Sequence, residues 1–128
     1  MSVYDFVAKR MDGKRISLAE FKGKVLIVVN TSEYGGMAYQ ELQELYDLYA
    51  PLGVEILGID FNYPTSILFQ DVLDKNFTGD LPDASVKLNF TKFLIDRKGK
   101  VVGRYERTVV PPAMQHDVES CSCVGQAT

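Results

Sequence analysis

An unbroken apolar run, Val25-Leu26-Ile27-Val28-Val29, ends at Asn30 in a polar, glycine-containing loop, and this junction constrains the fold more than any other stretch. Consecutive apolar residues, without the alternation of a half-exposed strand, describe a strand covered on both faces. That is the place of a central strand in an α/β sheet. The period then changes. Tyr39, Leu42, Leu45 or Tyr46, and Tyr49 recur on one face of a helix predicted from Met37 to about Ala50, with Glu41, Glu44 and Asp47 opposite. Pro51 and Gly53 close that helix. Val54 to Phe61 is a second apolar strand, so the segment reads as a β–α–β unit with a right-handed crossover.

The flanking sequence extends this core. Val3 to Lys9 is predicted as a strand, Asp12-Gly13 as a hairpin turn and Arg15 to Leu18 as the returning strand. Ala19 to Lys22 is predicted as a helical turn before Gly23. Pro64-Thr65 opens a second helix, with Thr65 or Ser66 as N-cap and Leu68, Val72, Leu73 and Phe77 buried. Lys87 to Asp96 reads as a strand, Arg97-Lys98-Gly99 as a turn and Lys100 to Tyr105 as the antiparallel partner. Pro111-Pro112 precede a short helix, Ala113 to Ser120, and residues 121–128 are expected to form a disordered tail. The expected domain, 1–120, is α/β, with a mixed sheet of about four strands flanked by helices and an N-terminal β-hairpin.

Composition narrows the function classes. The 128 residues carry a net charge of −3, which speaks against a nucleic-acid surface. Lys9, Arg10, Lys14 and Arg15 are expected to be the solvated surface of the hairpin. No apolar run approaches the ~20 residues of a membrane helix, and the first residues lack the basic and apolar regions of a signal peptide. The two cysteines, Cys121 and Cys123, provide no disulfide framework. The expectation is a cytoplasmic monomer with no nucleic-acid or membrane partner.

Several motifs occur in order: Ser2-Val3-Tyr4-Asp5-Phe6, Met11-Asp12-Gly13-Lys14, Phe21-Lys22-Gly23-Lys24 leading into the Val25–Asn30 run, Tyr39-Gln40-Glu41-Leu42, Glu55-Ile56-Leu57-Gly58 and Asn89-Phe90-Thr91-Lys92-Phe93-Leu94-Ile95-Asp96. Together they resemble the glutathione peroxidase family from about Val3 to Arg107. The resemblance implies a thioredoxin-like fold and thiol-dependent reduction of hydroperoxides in defence against oxidative stress. It also implies a hydroperoxide substrate and a thiol reductant, glutathione or thioredoxin, if activity persists. No metal or other cofactor is implied.

In that family a Cys or selenocysteine attacks the peroxide, supported by a Gln, a Trp and an Asn. Registering Ser32-Glu33-Tyr34-Gly35 on the family's Ser-x-Cys-Gly puts Tyr34 at the nucleophile position, with Gly35 as an alternative register. A strand end leading into a helix N-terminus lowers a thiol's pKa, whereas a phenol with a pKa near 10 stays neutral there. By the same resemblance Tyr63 stands at the Gln position and Leu88 at the Trp position, removing an indole donor. Asn89 alone keeps the family residue, and its side chain is expected to satisfy backbone groups where a strand begins. Asn62 also matches the family, but turn chemistry before Pro64 accounts for it equally well.

Between positions 64 and 87 the chain is shorter than the family pattern, as if one contiguous piece were excised, and sheet surface once covered by it is expected to be exposed. Other candidate chemistry is thin. Cys121-Ser122-Cys123 would close a strained ring as a disulfide, and with His116 it is one ligand short of a four-coordinate zinc site. The sequence thus leads to a family member with impaired or lost peroxidase activity. The alternative is a non-catalytic thioredoxin-fold binding module or a miniaturised scaffold.

Overall fold

The structure, a computed structural model, describes residues 3–10, 13–30, 35–59, 73, 91–105 and 109–126; within its helices, residues 35–39, 41 and 122–126 are described by their backbone alone. The strands are β1 (Val7–Lys9), β2 (Arg15–Ser17), β3 (Leu26–Asn30), β4 (Glu55–Ile59), β5 (Lys92–Ile95) and β6 (Val101–Tyr105). Among the described residues the helices are α1 (Gly35–Tyr49) and α2 (Gln115–Gln126), with Leu73 a single helical residue between them, and short 3₁₀ turns occupy Val3–Asp5, Leu18–Phe21, Ala50–Leu52 and Pro111–Met114.

β1 and β2 form the antiparallel hairpin expected from Asp12-Gly13, with Ala8 opposite Ile16. The main sheet has the order β4-β3-β5-β6. β3 runs parallel to β4, the two being joined through α1, while β5 runs antiparallel to both β3 and β6. An isolated antiparallel bridge between Arg10 and Ile59 attaches the hairpin to the β4 edge. An edge strand's unpaired backbone groups invite pairing with another chain, and this contact covers part of that edge.

Each face of the sheet packs its own core. Leu26 and Val28 of β3, Leu57 and Ile59 of β4, and Phe93 and Ile95 of β5 join Val3, Phe6, Ala8, Leu18 and Leu73 on one face. Val25, Ile27, Val29 and Leu94 meet Leu45 and Tyr49 of α1, Met114 of the Pro111–Met114 turn and Val118 of α2 on the other. The doubly buried strand expected from the Val25–Val29 run is therefore present: all five residues of β3 are buried. Gly53 ends the α1 region at φ 84°, a left-handed conformation that costs glycine nothing.

The structure corrects two expectations. Residues Val3–Asp5 form a 3₁₀ turn instead of the start of a strand. Val3 and Phe6 are both buried in one cluster, and a three-residue period puts them on one side where strand alternation would separate them. The tail expected to be disordered from 121 is helical through Gln126. No proline or glycine interrupts Gln115 to Val124, so nothing stops the helix near Ser120. The exposure expected around the shortened 64–87 segment concerns a stretch that lies outside the described residues, Leu73 apart. Of the helix predicted after Pro64, only Leu73 is described, helical and buried; the remainder, and the 87–90 part of the strand ending at Asp96, lie outside the described residues.

Candidate functional site

The parallel strands β3 and β4 finish at Asn30 and Ile59, side by side in register. β5 begins at the same end, where Lys92 lies opposite Val29 and the Asn30 N–H donates to the Thr91 carbonyl at 3.0 Å. The segment carrying Tyr34 leaves from Asn30, the one carrying Tyr63 leaves from Ile59, and Leu88 and Asn89 immediately precede Thr91 and its neighbours in sequence. Tyr34, Tyr63, Leu88 and Asn89 themselves lie outside the described residues. The three strand ends from which these segments depart or arrive are nevertheless adjacent. The carboxyl ends of parallel strands are where α/β sheets place their ligand sites.

This end of the sheet also holds the buried polar groups. Among the described residues, the buried polar or charged side chains are Asn30, Thr91 and Lys92. Burying a charge is costly unless it is hydrogen-bonded, and the Lys92 ammonium, with the whole residue 0% exposed, donates to the Val109 carbonyl at 2.9 Å. All three residues have further interactions besides. Lys92 was passed over in the sequence as part of a strand. Its signal was visible: a lysine directly preceding the apolar Phe93-Leu94-Ile95 run of a central strand.

α1 begins just beyond Asn30 with Gly35 and Gly36 and has no acidic residue in its first turn. Its dipole favours negative charge at that point, so the setting suits an anionic nucleophile. The chain's cysteines are elsewhere. Cys121 sits half-buried on α2, packed beside the second core cluster. Burial raises its thiol pKa, and the carboxylates of Asp96 and Asp117 raise it further against the opposing effect of Arg97. Asp96 and Arg97 belong to the β5–β6 turn, at the end of β5 remote from Lys92. The described thiol is therefore packed on α2 against the second core cluster and held protonated, the reverse of an activated nucleophile.

Cys123 lies two residues further along α2 and is described by its backbone alone. His116 is exposed on the same helix, and no group of three metal-ligating side chains occurs among the described residues.

On the other side of β6, the Tyr105 hydroxyl donates to Asp117 Oδ2 at 2.6 Å. Burial first, then this hydrogen bond and the Asp117 charge, push the Tyr105 phenol well above its ordinary range. The Tyr49 hydroxyl donates to the Pro111 carbonyl, joining α1 to the turn that leads into α2. These contacts are structural ties between helices and sheet and supply no reactive group.

A four-stranded mixed sheet, an α1 crossover and polar groups gathered at the parallel strand ends define a thioredoxin-fold domain. Sequence comparison makes the assignment narrower. The sequence model of the glutathione peroxidase family matches residues 3–109, and the chain belongs to that family. A glutathione peroxidase of Lactococcus lactis is 33% identical, the match covering 93% of this chain and 98% of the relative. A putative chloroplastic glutathione peroxidase 7 of Arabidopsis thaliana is 34% identical over 92% of this chain, which spans 66% of that relative's length. Both alignments run over 155 positions, more than the 128 residues present here, so the relatives carry internal residues that this chain lacks. Among solved structures, Trgpx in its apo form superimposes with a TM-score of 0.74 at 27% identity, covering 96% of each chain.

Proposed function

We propose that this chain is a glutathione-peroxidase-family protein in which thiol-dependent hydroperoxide reduction is lost or reduced to a very low level. The carrying observation is the position of the described thiol: Cys121 is on α2, near the β5–β6 turn and protonated, while the strand ends that would present a nucleophile lead into Tyr34. The substitutions at Tyr63 and Leu88 support the same reading, because they remove the amide and indole donors that the resemblance places around the nucleophile. The retained fold is that of a family that reduces hydroperoxides with a thiol reductant, and the setting proposed for this chain is cytoplasmic. Here it acts as a framework without the sulfur that undergoes the two-electron oxidation.

A coupled peroxide-reduction assay with glutathione or thioredoxin as reductant tests this. The expected result is no turnover above the uncatalysed rate, unchanged when Cys121 and Cys123 are both replaced by Ser. Turnover comparable with the Lactococcus relative, measured alongside, would overturn the proposal. Tyr34→Cys in the same assay separates the causes: recovery assigns the loss to the missing thiol, whereas continued inactivity gives Tyr63, Leu88 and the missing internal residues equal weight.

A further inference from the structure

The end of the sheet remote from the strand ends described above is built from two turns far apart in sequence. Residues 22–24 and 96–100 are clamped together: the Gly23 N–H donates to the Arg97 carbonyl at 3.2 Å, and Arg97 Nη1 donates back to the Gly23 carbonyl at 3.0 Å. The Tyr4 hydroxyl also donates to the Arg97 carbonyl, at 3.3 Å. Asp96 Oδ1 accepts the backbone N–H groups of Lys98 and Lys100, each at 2.9 Å, so that carboxylate is engaged in shaping the turn.

This rigid end presents Lys22, Lys24, Arg97, Lys98 and Lys100. All four lysines are exposed. Lys24 approaches Glu55 at 3.5 Å, and Lys22 lies over the Tyr4 ring at 5.8 Å. Among the described residues, Lys98 and Lys100 have no carboxylate within ion-pair distance.

The helical face has the opposite character. α1 carries Glu41, Glu44 and Asp47, α2 carries Asp117 and Glu119, and neither helix contains a Lys or Arg. Glu44, Asp47, Asp117 and Glu119 are exposed. Glu44 and Glu119 both act on the Tyr49 hydroxyl, so the acids of the two helices converge. Leu48, one turn beyond Glu44 on α1, is exposed beside these acids, 39% accessible. A chain of net charge −3 has thus sorted its charge into a cationic turn end and an acidic, partly apolar helical face.

We infer that these two surfaces are complementary halves of a self-association interface, the cationic double turn of one copy docking on the α1–α2 face of a second. Each carries what the other needs: lysines on a clamp held by hydrogen bonds, carboxylates beside exposed Leu48. Each subunit offers one surface of each sign. Pairing therefore closes as a twofold dimer using both contacts or continues head to tail.

Sedimentation velocity across a concentration series tests the inference. At low salt the weight-average mass is expected to rise above that of a single chain, and to return to it at about 1 M salt, where screening acts over roughly 3 Å. Lys98→Glu with Lys100→Glu, and separately Glu44→Lys with Asp47→Lys, should each weaken association by at least about tenfold. An equimolar mixture of the two variants should associate again, because each retains a surface that fits the other. Circular dichroism checks that both variants are folded, and the mixing result needs no comparison with wild type. A chain that stays monomeric at low salt, or variants that associate like wild type, would overturn the inference. So would a monomer that binds vesicles of anionic lipid through Lys98 and Lys100, since that result assigns the turn end to a membrane surface instead.

Discussion

The two ends of the central sheet treat their polar groups in opposite ways. At the end where β3 and β4 finish, Asn30, Thr91 and Lys92 are buried. At the other end, the lysines of the 22–24 and 96–100 turns face solvent, and the polar groups drawn inward are mostly backbone ones bonded across the clamp. Buried side-chain polarity is expensive and persists where it is satisfied and specific. Exposed charge on clamped turns costs little and is free to meet a partner. On the function proposed above, the first end is where the family's active site would stand; the second is a scaffold with a charged outer surface.

Removing Lys92 should break that contrast most severely. Lys92→Ala deletes a fully buried stem and leaves the Val109 carbonyl without its lysine donor, so a loss of about 3–5 kcal/mol is expected in urea unfolding. Lys92→Met keeps most of the volume and should restore about half of it. If both variants unfold at the wild-type midpoint, the buried ammonium has no part in holding this end, and the contrast between the ends fails.

At the turn end the largest effect should come from backbone geometry. Gly99 has φ +84°, and a Cβ placed there would meet Tyr4 Cε2 at 2.6 Å. Gly99→Ala therefore combines a left-handed strain with displacement of the ring whose hydroxyl bonds Arg97, and about 2 kcal/mol should be lost. Tyr4→Ala removes the clash, so a double-mutant cycle should show a favourable coupling between the two positions. Additive losses would mean that Tyr4 does not press on the turn.

How legible each end was follows from how it is assembled. β3, α1 and β4 are contiguous, and their periods change at Asn30 and Gly53, so the β–α–β unit and the doubly buried strand could be read directly. Tyr34 announced itself because strand, loop and helix meet there within a few residues. The turn end could not be read that way. Gly23 and Arg97 are 74 positions apart, so a charge count along the chain noticed Lys9 to Arg15 and missed the cluster that folding creates. The 3₁₀ turn at Val3–Asp5 was missed for a related reason: the burial of both Val3 and Phe6 is decided by the far side of the sheet, and local propensity does not report it.

The smallest effect concerns the tie between β6 and α2. Tyr105 pairs across the sheet with Lys92 and donates its hydroxyl to Asp117, joining the buried end to the acidic helix. Tyr105→Phe should cost about 1 kcal/mol at neutral pH, the usual value of one such bond. Its pH dependence is more informative. The folded protein holds the Tyr105 proton well above the pH near 10 at which an unfolded tyrosine releases it. Through that window the unfolded chain binds fewer protons than the folded one, so stability falls as pH rises. Tyr49 and Tyr4, also raised chiefly by burial, add to the same decline. Tyr105→Phe should therefore unfold earlier than wild type at pH 7 and show a shallower loss above pH 10, the two curves converging. Parallel curves from neutral to alkaline pH would mean that the Tyr105 proton is not held by folding, and that the link between the two regions is packing alone.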